Sequence, residues 1–178
     1  MKVTSNCKTI SALVGDGFAM SGIRLDVDSS CIVATHGKAL IKVPVELDEG
    51  DETTTISIAC WKQAVALAKA SKLKQIQIKT TTTSCTLTDG SQFPAITNRF
   101  VDWKSIYKTE KEKELPYSLS INPLYLKQIQ EAAGADAVTL KFKVDTKGVV
   151  AGALVVVPYY FKGSTAIENA DGLVMPLV

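Results

Sequence analysis

The amino-acid sequence predicts an α+β fold made of two tandem βαβββ-like units, with one helix in each unit packed on antiparallel sheets. Two observations lead to this prediction. Each half of the chain contains one segment with the periodicity of an amphipathic helix, and short strand-like segments separated by turn residues follow it. The order of the elements is thus repeated, although the two helices share little sequence.

The first unit follows a predicted meander of strands over residues 9–47, in which Ile23, Leu25 and Val27 alternate with polar residues. An acidic loop and a short strand then lead into a helix over residues 59–71, and KQIQIKT, TSCTLTD and SQFPAITN follow as three short strands. The apolar residues of this helix recur at i, i+3, i+4 and i+7, on one helical face: Trp61, Ala64, Val65 and Ala68.

The second unit begins with the strand YSLSI and continues into a helix that starts at Asn122 and Pro123. Asparagine is a favoured N-cap, and proline is tolerated in the first turn, so this dipeptide predicts a helix start; Gly134 predicts its end. Three strands are expected after it, within AVTLKFKVD, GVVAGALVVVPYYF and GLVMPLV.

These elements divide the chain into two halves. Residues 1–107 contain an initial hairpin and the first unit, and residues 115–178 contain the second. Residues 108–114, KTEKEKE, alternate in charge and contain no apolar side chain, which is typical of a solvated connector.

Composition excludes several classes of protein. The 20 Lys and Arg residues nearly balance the 18 Asp and Glu residues, so net charge does not indicate a nucleic-acid-binding protein. Four cysteines at isolated positions and a single histidine argue against a zinc or disulfide framework. The start of the chain lacks an apolar leader, and the longest apolar run, 153–161, is too short to span a bilayer. These features predict a soluble, cytoplasmic protein.

The sequence contains no pattern typical of an enzyme. It lacks a phosphate-binding loop, a dinucleotide-binding glycine motif and a nucleophile elbow, and no cofactor or metal is expected. His36 is interpreted as a surface or packing residue, and Cys60 and Cys85 as small core residues. The acidic pairs of the chain are interpreted as solvated, without a metal: Asp26 with Asp28, and Asp48 with Asp51.

Three stretches, in this order, resemble segments of the bacterial sliding clamp, the beta subunit of the replicative DNA polymerase. GIRLDVDSSCIVATHGKALIKVPVEL resembles NGxLxExxxxxLxxVATDGHRLAxxxxP, RFVDWKSIY resembles RFPDYRRVLP, and GLVMPLV resembles the terminal VVMPMRL. The chain departs from the family at 36–41, where the acid, histidine and arginine of TDGHRLA are replaced or displaced. The resemblance identifies a shortened, divergent member with the DNA clamp fold, and host and phage origins both stay open.

The resemblance implies a hydrophobic groove that captures a short linear peptide of polymerases and other partners. Methionine suits such a surface because its side chain adapts to different ligands. The alternative is that VMPLV is a buried edge strand and that Asn122 is only a helix cap. Carried over position by position, the groove residues are Thr35, Gly37, Leu40, Ile106, Asn122, Tyr125, Val174, Met175, Pro176 and Leu177.

The resemblance also implies a ring around duplex DNA, with basic side chains facing phosphates without reading sequence. A one-domain chain would need about six copies to close a six-domain ring of the family's type, so a homo-oligomer is expected. The alternative for the lysines at the end of the first helix is favourable interaction with the helix dipole. The candidate DNA-binding residues are Arg24, Lys62, Lys69, Lys72, Lys74, Lys104 and Lys127.

The sequence therefore predicts a non-enzymatic clamp protein of DNA replication or repair that holds DNA, a peptide-bearing partner, or both. Two alternatives stay open. One is a stand-alone peptide-binding adaptor that modulates a host clamp without encircling DNA, and the other is a structural protein that uses the fold to self-assemble.

Overall fold

The computed structural model describes residues 1–107, 122–141, 154–159 and 171–174. Two 3₁₀ helices, Ser5–Leu13 and Phe18–Met20, lie near the start of the chain. The helices are α1 (Ile58–Ala70), α2 (Trp103–Tyr107) and α3 (Pro123–Ala133). The strands are β1 (Lys2–Thr4), β2 (Ile23–Asp26), β3 (Cys31–Thr35), β4 (Ala39–Pro44), β5 (Thr54–Ile56), β6 (Gln75–Thr80), β7 (Ser84–Leu87), β8 (Gln92–Pro94), β9 (Ala137–Lys141), β10 (Leu154–Tyr159) and β11 (Asp171–Val174).

The described strands form two antiparallel sheets. The smaller sheet has the order β1-β6-β7-β8, and the larger has the order β5-β2-β3-β4-β11-β10-β9. Strand β11 pairs with β4, with Asp171 opposite Lys42 and Val174 opposite Ala39. Strands from the two ends of the chain therefore belong to one seven-stranded sheet. The predicted α+β class with antiparallel sheets is confirmed.

The first predicted unit is present as β5-α1-β6-β7-β8, with α1 within one residue of its expected bounds. The Ser57 hydroxyl caps α1 by accepting a hydrogen bond from the Cys60 amide at 3.2 Å. Cys60, Trp61, Ala64 and Ala68 are buried in the core, as the helical spacing indicates. In the predicted second unit, α3, β9, β10 and β11 are described, whereas YSLSI and the connector 108–114 lie outside the described residues. The division into two halves stays a prediction.

The prediction of strands from residue 9 was wrong for residues 9–13, which belong to the 3₁₀ helix Ser5–Leu13. Later in the predicted range, β2, β3 and β4 pair as an antiparallel meander. The buried residues of the 3₁₀ helix are Cys7, Ile10 and Leu13. Their spacing of three residues matches the three-residue turn of a 3₁₀ helix, in which side chains at i and i+3 are eclipsed. The pattern was therefore present, but it is neither the alternation of a strand nor the 3.6-residue period of an α-helix.

Helix α3 has the predicted ends. The Asn122 side chain accepts a hydrogen bond from the Leu124 amide at 3.0 Å, and Gly134 takes a left-handed conformation with φ of 61°. The buried side of α3, formed by Ile129, Ala132 and Ala133, joins the main core beside the first 3₁₀ helix. Helix α3 is therefore held against the start of the chain.

The larger sheet separates two apolar clusters. The main core contains alternate residues of the sheet, such as Ile32 and Ile41, together with the buried sides of α1 and α3. A smaller cluster joins Leu40 and Val33 to Trp103 of α2. Because neighbouring residues of a strand point to opposite faces, the main core and α2 lie on opposite faces of the sheet.

The expectation that the acidic pairs are solvated was wrong for Asp26 and Asp51. The Asp51 side chain is 1% exposed and forms an ion pair with the N-terminal ammonium group of Met1 at 2.5 Å. Asp26 is buried and is paired with Lys104. Both carboxylates are paired because an unpaired charge is costly to bury.

Candidate functional site

A tight turn between β3 and β4 forms the centre of the candidate site. The Thr35 hydroxyl donates to the Ala39 carbonyl oxygen at 2.8 Å and accepts from the Gly37 amide at 3.1 Å. Gly37 has a φ of +89°, a conformation that favours glycine. Thr35 and Gly37 therefore fix the shape of this turn, and the structure gives both predicted residues a geometric role.

The first residues of α2 cover the strand that follows the turn. Trp103 and Leu40 belong to one cluster, and Phe100 and Val101 pack against it. The Val101 amide donates to the Ala19 carbonyl oxygen at 3.2 Å. The segment that resembles the clamp motif RFPDY therefore lies between Leu40 and the second 3₁₀ helix.

Met20, which sequence reasoning missed, also belongs to the site. A Cβ atom placed on Gly37 would lie 3.4 Å from the Met20 sulfur atom. The Gly15 amide links the two segments, since the carbonyl oxygens of Met20 and Thr35 lie 3.1 and 3.2 Å from it. The only sequence signal was an apolar side chain within the glycine-containing loop GDGFAMSG, which does not reveal the contact with Gly37.

The start of α3 reaches the same turn. The rings of His36 and Tyr125 are 5.2 Å apart, between centroids, and are tilted by 55°. The His36 Nε2 atom lies 3.3 Å from the Gln128 Oε1 atom. His36 therefore has the packing role that was predicted, and it connects the turn to Tyr125. Asn122 caps the helix one turn earlier, and the neighbouring Leu124 is 53% exposed.

Strand β11 completes the arrangement by pairing with β4. Leu173 lies opposite Leu40, and Val174 lies opposite Ala39. The predicted residue Val174 thus belongs to a strand that pairs directly with the strand following the turn, and its role in the groove stays a prediction.

The described residues thus gather four of the ten predicted groove positions at one place: Thr35, Gly37, Leu40 and Tyr125. Ile106 lies in α2, three residues after Trp103. Met175, Pro176 and Leu177 lie outside the described residues and stay predictions.

The predicted DNA-binding residues fall into separate groups. Lys69 and Lys72 line a depression beside the first 3₁₀ helix, together with Lys8 and the 43% exposed Leu73. Two further candidates of this group are exposed: Lys62 lies in α1, and Lys74 lies between α1 and β6.

A second group lies on the other side of the larger sheet. The Lys104 Nζ atom lies 2.9 Å from Asp26 Oδ2, and Arg24 Nη1 donates to the Thr55 hydroxyl at 3.2 Å. Burial acts to raise the pKa of Asp26, but hydrogen bonds and the charge of Lys104 outweigh it and hold that pKa below its usual value.

The last candidate, Lys127, lies in α3 and belongs to neither group. It forms an i,i+4 ion pair with Glu131 at 3.8 Å.

Among the described residues, no group of three or more His, Cys, Asp or Glu side chains is placed to hold a metal ion. No helix in the same part of the chain has the length and apolar character needed to cross a membrane.

The fold matches solved structures of bacterial sliding clamps. The chain superposes on the DnaN sliding clamp of Bartonella birtlesii, crystallised with griselimycin, with a TM-score of 0.63, 13% identity and 99% of the chain covered. The chain has the sliding-clamp fold. The beta subunit from the DNA polymerase of Streptococcus pyogenes gives a TM-score of 0.63 at 10% identity over 99% of the chain, and the sliding clamp of Pseudomonas aeruginosa gives 0.62 at 11% over 100%.

In each of these three clamps the matched region covers 65% of the clamp chain, so this chain spans a little under two thirds of their length. No protein-family model and no curated protein matches the sequence. The resemblance inferred from three short motifs is therefore confirmed as a likeness of fold.

Proposed function

We propose that this chain is a sliding-clamp-like accessory protein of DNA replication or repair, whose groove captures a short linear peptide of polymerase-type partners. One observation carries the proposal: segments distant in sequence converge around the β3–β4 turn. They are the second 3₁₀ helix, the segment 100–103, the start of α3 and strand β11. The role requires no catalytic residue, and a cytoplasmic location stays a prediction.

The chemistry around the turn suits an extended peptide with large apolar anchors. Met20 and Tyr125, both partly exposed, supply apolar surface beside the turn, and His36 with Gln128 supplies polar groups at one side. Peptide-binding sites combine apolar surface for the anchors with a few polar groups that fix the direction of the peptide. Burying one large anchor contributes about 1.5–3 kcal/mol. After the entropic cost of association, a peptide with two anchors is expected to bind with modest affinity and to exchange readily.

Capture of a peptide is tested by fluorescence anisotropy with a labelled peptide that carries one leucine and one phenylalanine anchor. We expect each of two substitutions to weaken binding at least tenfold. Met20→Asp introduces a charge beside Gly37, and Tyr125→Ala removes the ring that packs against His36. Leu73→Asp is the matched control, since Leu73 is exposed beside the α1 depression and not at the turn. It is expected to leave the affinity within twofold of the wild type.

Circular dichroism of every variant separates loss of binding from loss of folding. Equal affinities of the wild type, Met20→Asp and Tyr125→Ala, all folded, would show that the groove is not the binding site. The same conclusion follows if a peptide with aspartate at both anchor positions binds as well as the original.

We also propose that the lysines of α1 contact DNA phosphates without reading sequence. Lys69 and Lys72 lie together with Lys8 around one depression, and a cluster of this kind attracts phosphates. Lys69→Gln with Lys72→Gln is expected to weaken duplex DNA binding several-fold and to reduce its dependence on salt. Lys79→Gln with Lys141→Gln removes the same charge from exposed strand positions and is the matched control. Equal losses for the two double variants, or no salt-dependent binding by the wild type, exclude this surface.

The stand-alone peptide-binding adaptor is the second candidate, and one observation favours it. Lys104 and Lys127 are engaged in ion pairs within the chain, and Arg24 lies across the sheet from the α1 lysines. The seven candidate positions therefore do not form one basic surface. Light scattering distinguishes the two proposals: a ring that encloses DNA requires a homo-oligomer, whereas the adaptor functions as a monomer.

A further inference from the structure

Both arginines of the chain line one cleft of the folded protein. Among its 20 basic residues the sequence contains only two arginines, Arg24 and Arg99, which are 75 positions apart. Both line a single open cleft, on the side of the larger sheet that carries α2. The segment 97–104 forms the opposite wall, with Asn98 and Phe100 among its lining residues. The tertiary fold thus brings both arginines of the protein to one cleft.

The charges of this cleft do not all cancel. Lys104 binds both carboxylate oxygens of Asp26, at 2.9 and 3.2 Å, and the Ser29 amide also donates to Asp26 at 2.9 Å. Asp102 is exposed, and its carboxylate accepts from the Ser105 amide at 3.3 Å. Within the described residues, neither arginine forms an ion pair, so the cleft keeps an excess of positive charge.

One of the two arginines is also held in place. Arg24 is half-buried in β2, and its Nη1 atom donates to the Thr55 hydroxyl of the neighbouring strand at 3.2 Å. Arg99 is exposed and lies in the loop between β8 and α2. A guanidinium with a fixed position loses less conformational entropy on binding than a mobile lysine, and its planar donors match an oxyanion in pairs.

We propose that the cleft between Arg24 and Arg99 binds a phosphate group. Two guanidinium groups supply several donors from two directions, which suits a tetrahedral anion with three or four acceptor oxygens. A single carboxylate has only two oxygens and is satisfied by one arginine. The cleft shares segment 100–103 with the surroundings of the β3–β4 turn, but neither arginine lies at that turn. The phosphate belongs either to a free nucleotide or to a nucleic-acid strand.

The presence of only two arginines makes the site directly observable. In ¹⁵N-labelled protein the two Nε–Hε groups are expected to give two signals, which Arg24→Lys and Arg99→Lys assign. Inorganic phosphate is expected to shift both signals in one saturable titration, and acetate at the same ionic strength is expected to leave them in place. The double variant Arg24→Lys with Arg99→Lys keeps the charge but removes the paired donors, and is expected to bind phosphate at least tenfold more weakly. Lys79→Gln, at an exposed position of β6, is the control and is expected to bind phosphate like the wild type.

Thymidine monophosphate and a short oligothymidylate identify the source of the phosphate. All affinities are read from the two arginine signals, so that binding at the α1 lysines does not contribute. Tighter binding of the mononucleotide than of inorganic phosphate assigns the site to nucleotides, and still tighter binding of the oligonucleotide assigns it to a strand. The proposal is overturned if neither signal moves with any of the three ligands, if acetate acts like phosphate, or if the double lysine variant binds within twofold of the wild type. Peptide anisotropy on the same variant reports on the groove separately, because neither arginine is part of it.

Discussion

Asp51→Ala is expected to lower the free energy of unfolding by about 3–5 kcal/mol, the usual cost of removing one partner from a buried ion pair. Asp51 Oδ2 contacts the Met1 ammonium group at 2.5 Å and accepts from the Asp48 amide at 2.8 Å, while Oδ1 accepts from the Thr80 amide and hydroxyl at 3.2 and 3.0 Å. The substitution leaves these donors without the carboxylate. Urea denaturation at pH 7 measures the loss.

The same contacts predict how the effect depends on pH. Burial acts to raise the pKa of Asp51. The Met1 ammonium group, through its hydrogen bond and its charge, and the Thr80 hydroxyl outweigh this effect and hold that pKa below its usual value. A depressed carboxyl pKa contributes stability above the ordinary pKa of about 3.9, and that stability is lost as pH falls through the folded-state pKa. The difference between wild type and Asp51→Ala is therefore expected to be constant near neutral pH and to shrink below about pH 4.

Asp48→Asn is the matched control for this prediction. The Asp48 side chain is 45% exposed and contacts the same ammonium group at 3.2 Å, so its pairing is partly screened by water. An exposed pair contributes little to stability, so Asp48→Asn is expected to cost much less than Asp51→Ala. Similar losses for the two substitutions would show that burial of the Asp51 carboxylate does not decide its contribution.

Gly134→Ala is expected to destabilise the protein by about 2–4 kcal/mol, because backbone strain and overpacking add at this position. Gly134 has a φ of +61°, and a Cβ atom there would lie 2.6 Å from the Cβ atom of Asn6. The collision falls where the end of α3 meets the first 3₁₀ helix. Because α3 also carries Tyr125, we expect weaker peptide binding as well as a lower melting temperature.

Two comparisons separate the two causes. Gly90→Ala places a methyl group at a φ of +85° with nothing within 4 Å, and is expected to cost about 1 kcal/mol from strain alone. In a double-mutant cycle, Asn6→Gly removes the opposing Cβ atom and should reduce the added cost of Gly134→Ala to that of Gly90→Ala. If the cycle shows no coupling, steric contact with Asn6 does not cause the loss.

The periodic elements of the fold were predictable because local sequence specifies them. Spacing around Trp61 located α1 within one residue, and Asn122 with Gly134 located both ends of α3. The segment Ser5–Leu13 was misassigned because its three-residue apolar spacing belongs to a less common element. Asp51 was misassigned because its partner, the ammonium group of Met1, lies 50 positions away in the sequence.

The candidate site was only partly predictable, because some of its contacts join segments that are distant in the sequence. Motif resemblance selected Thr35, Gly37 and Leu40, whose positions follow from one turn. It missed Met20, which reaches Gly37 from a different loop. No contiguous motif contains both residues, so the motif alone did not reveal this contact.

By itself, the sequence determined the α+β class, the two main helices and the resemblance to sliding clamps, since these depend on periodicity, helix caps and short contiguous motifs. Only the tertiary structure decided that β11 joins β4, that Met20 lies beside Gly37, and that Arg24 and Arg99 share one cleft. Each of these contacts joins residues distant in the chain. Their formation depends on strand pairing and core packing, which the local pattern of side chains does not encode.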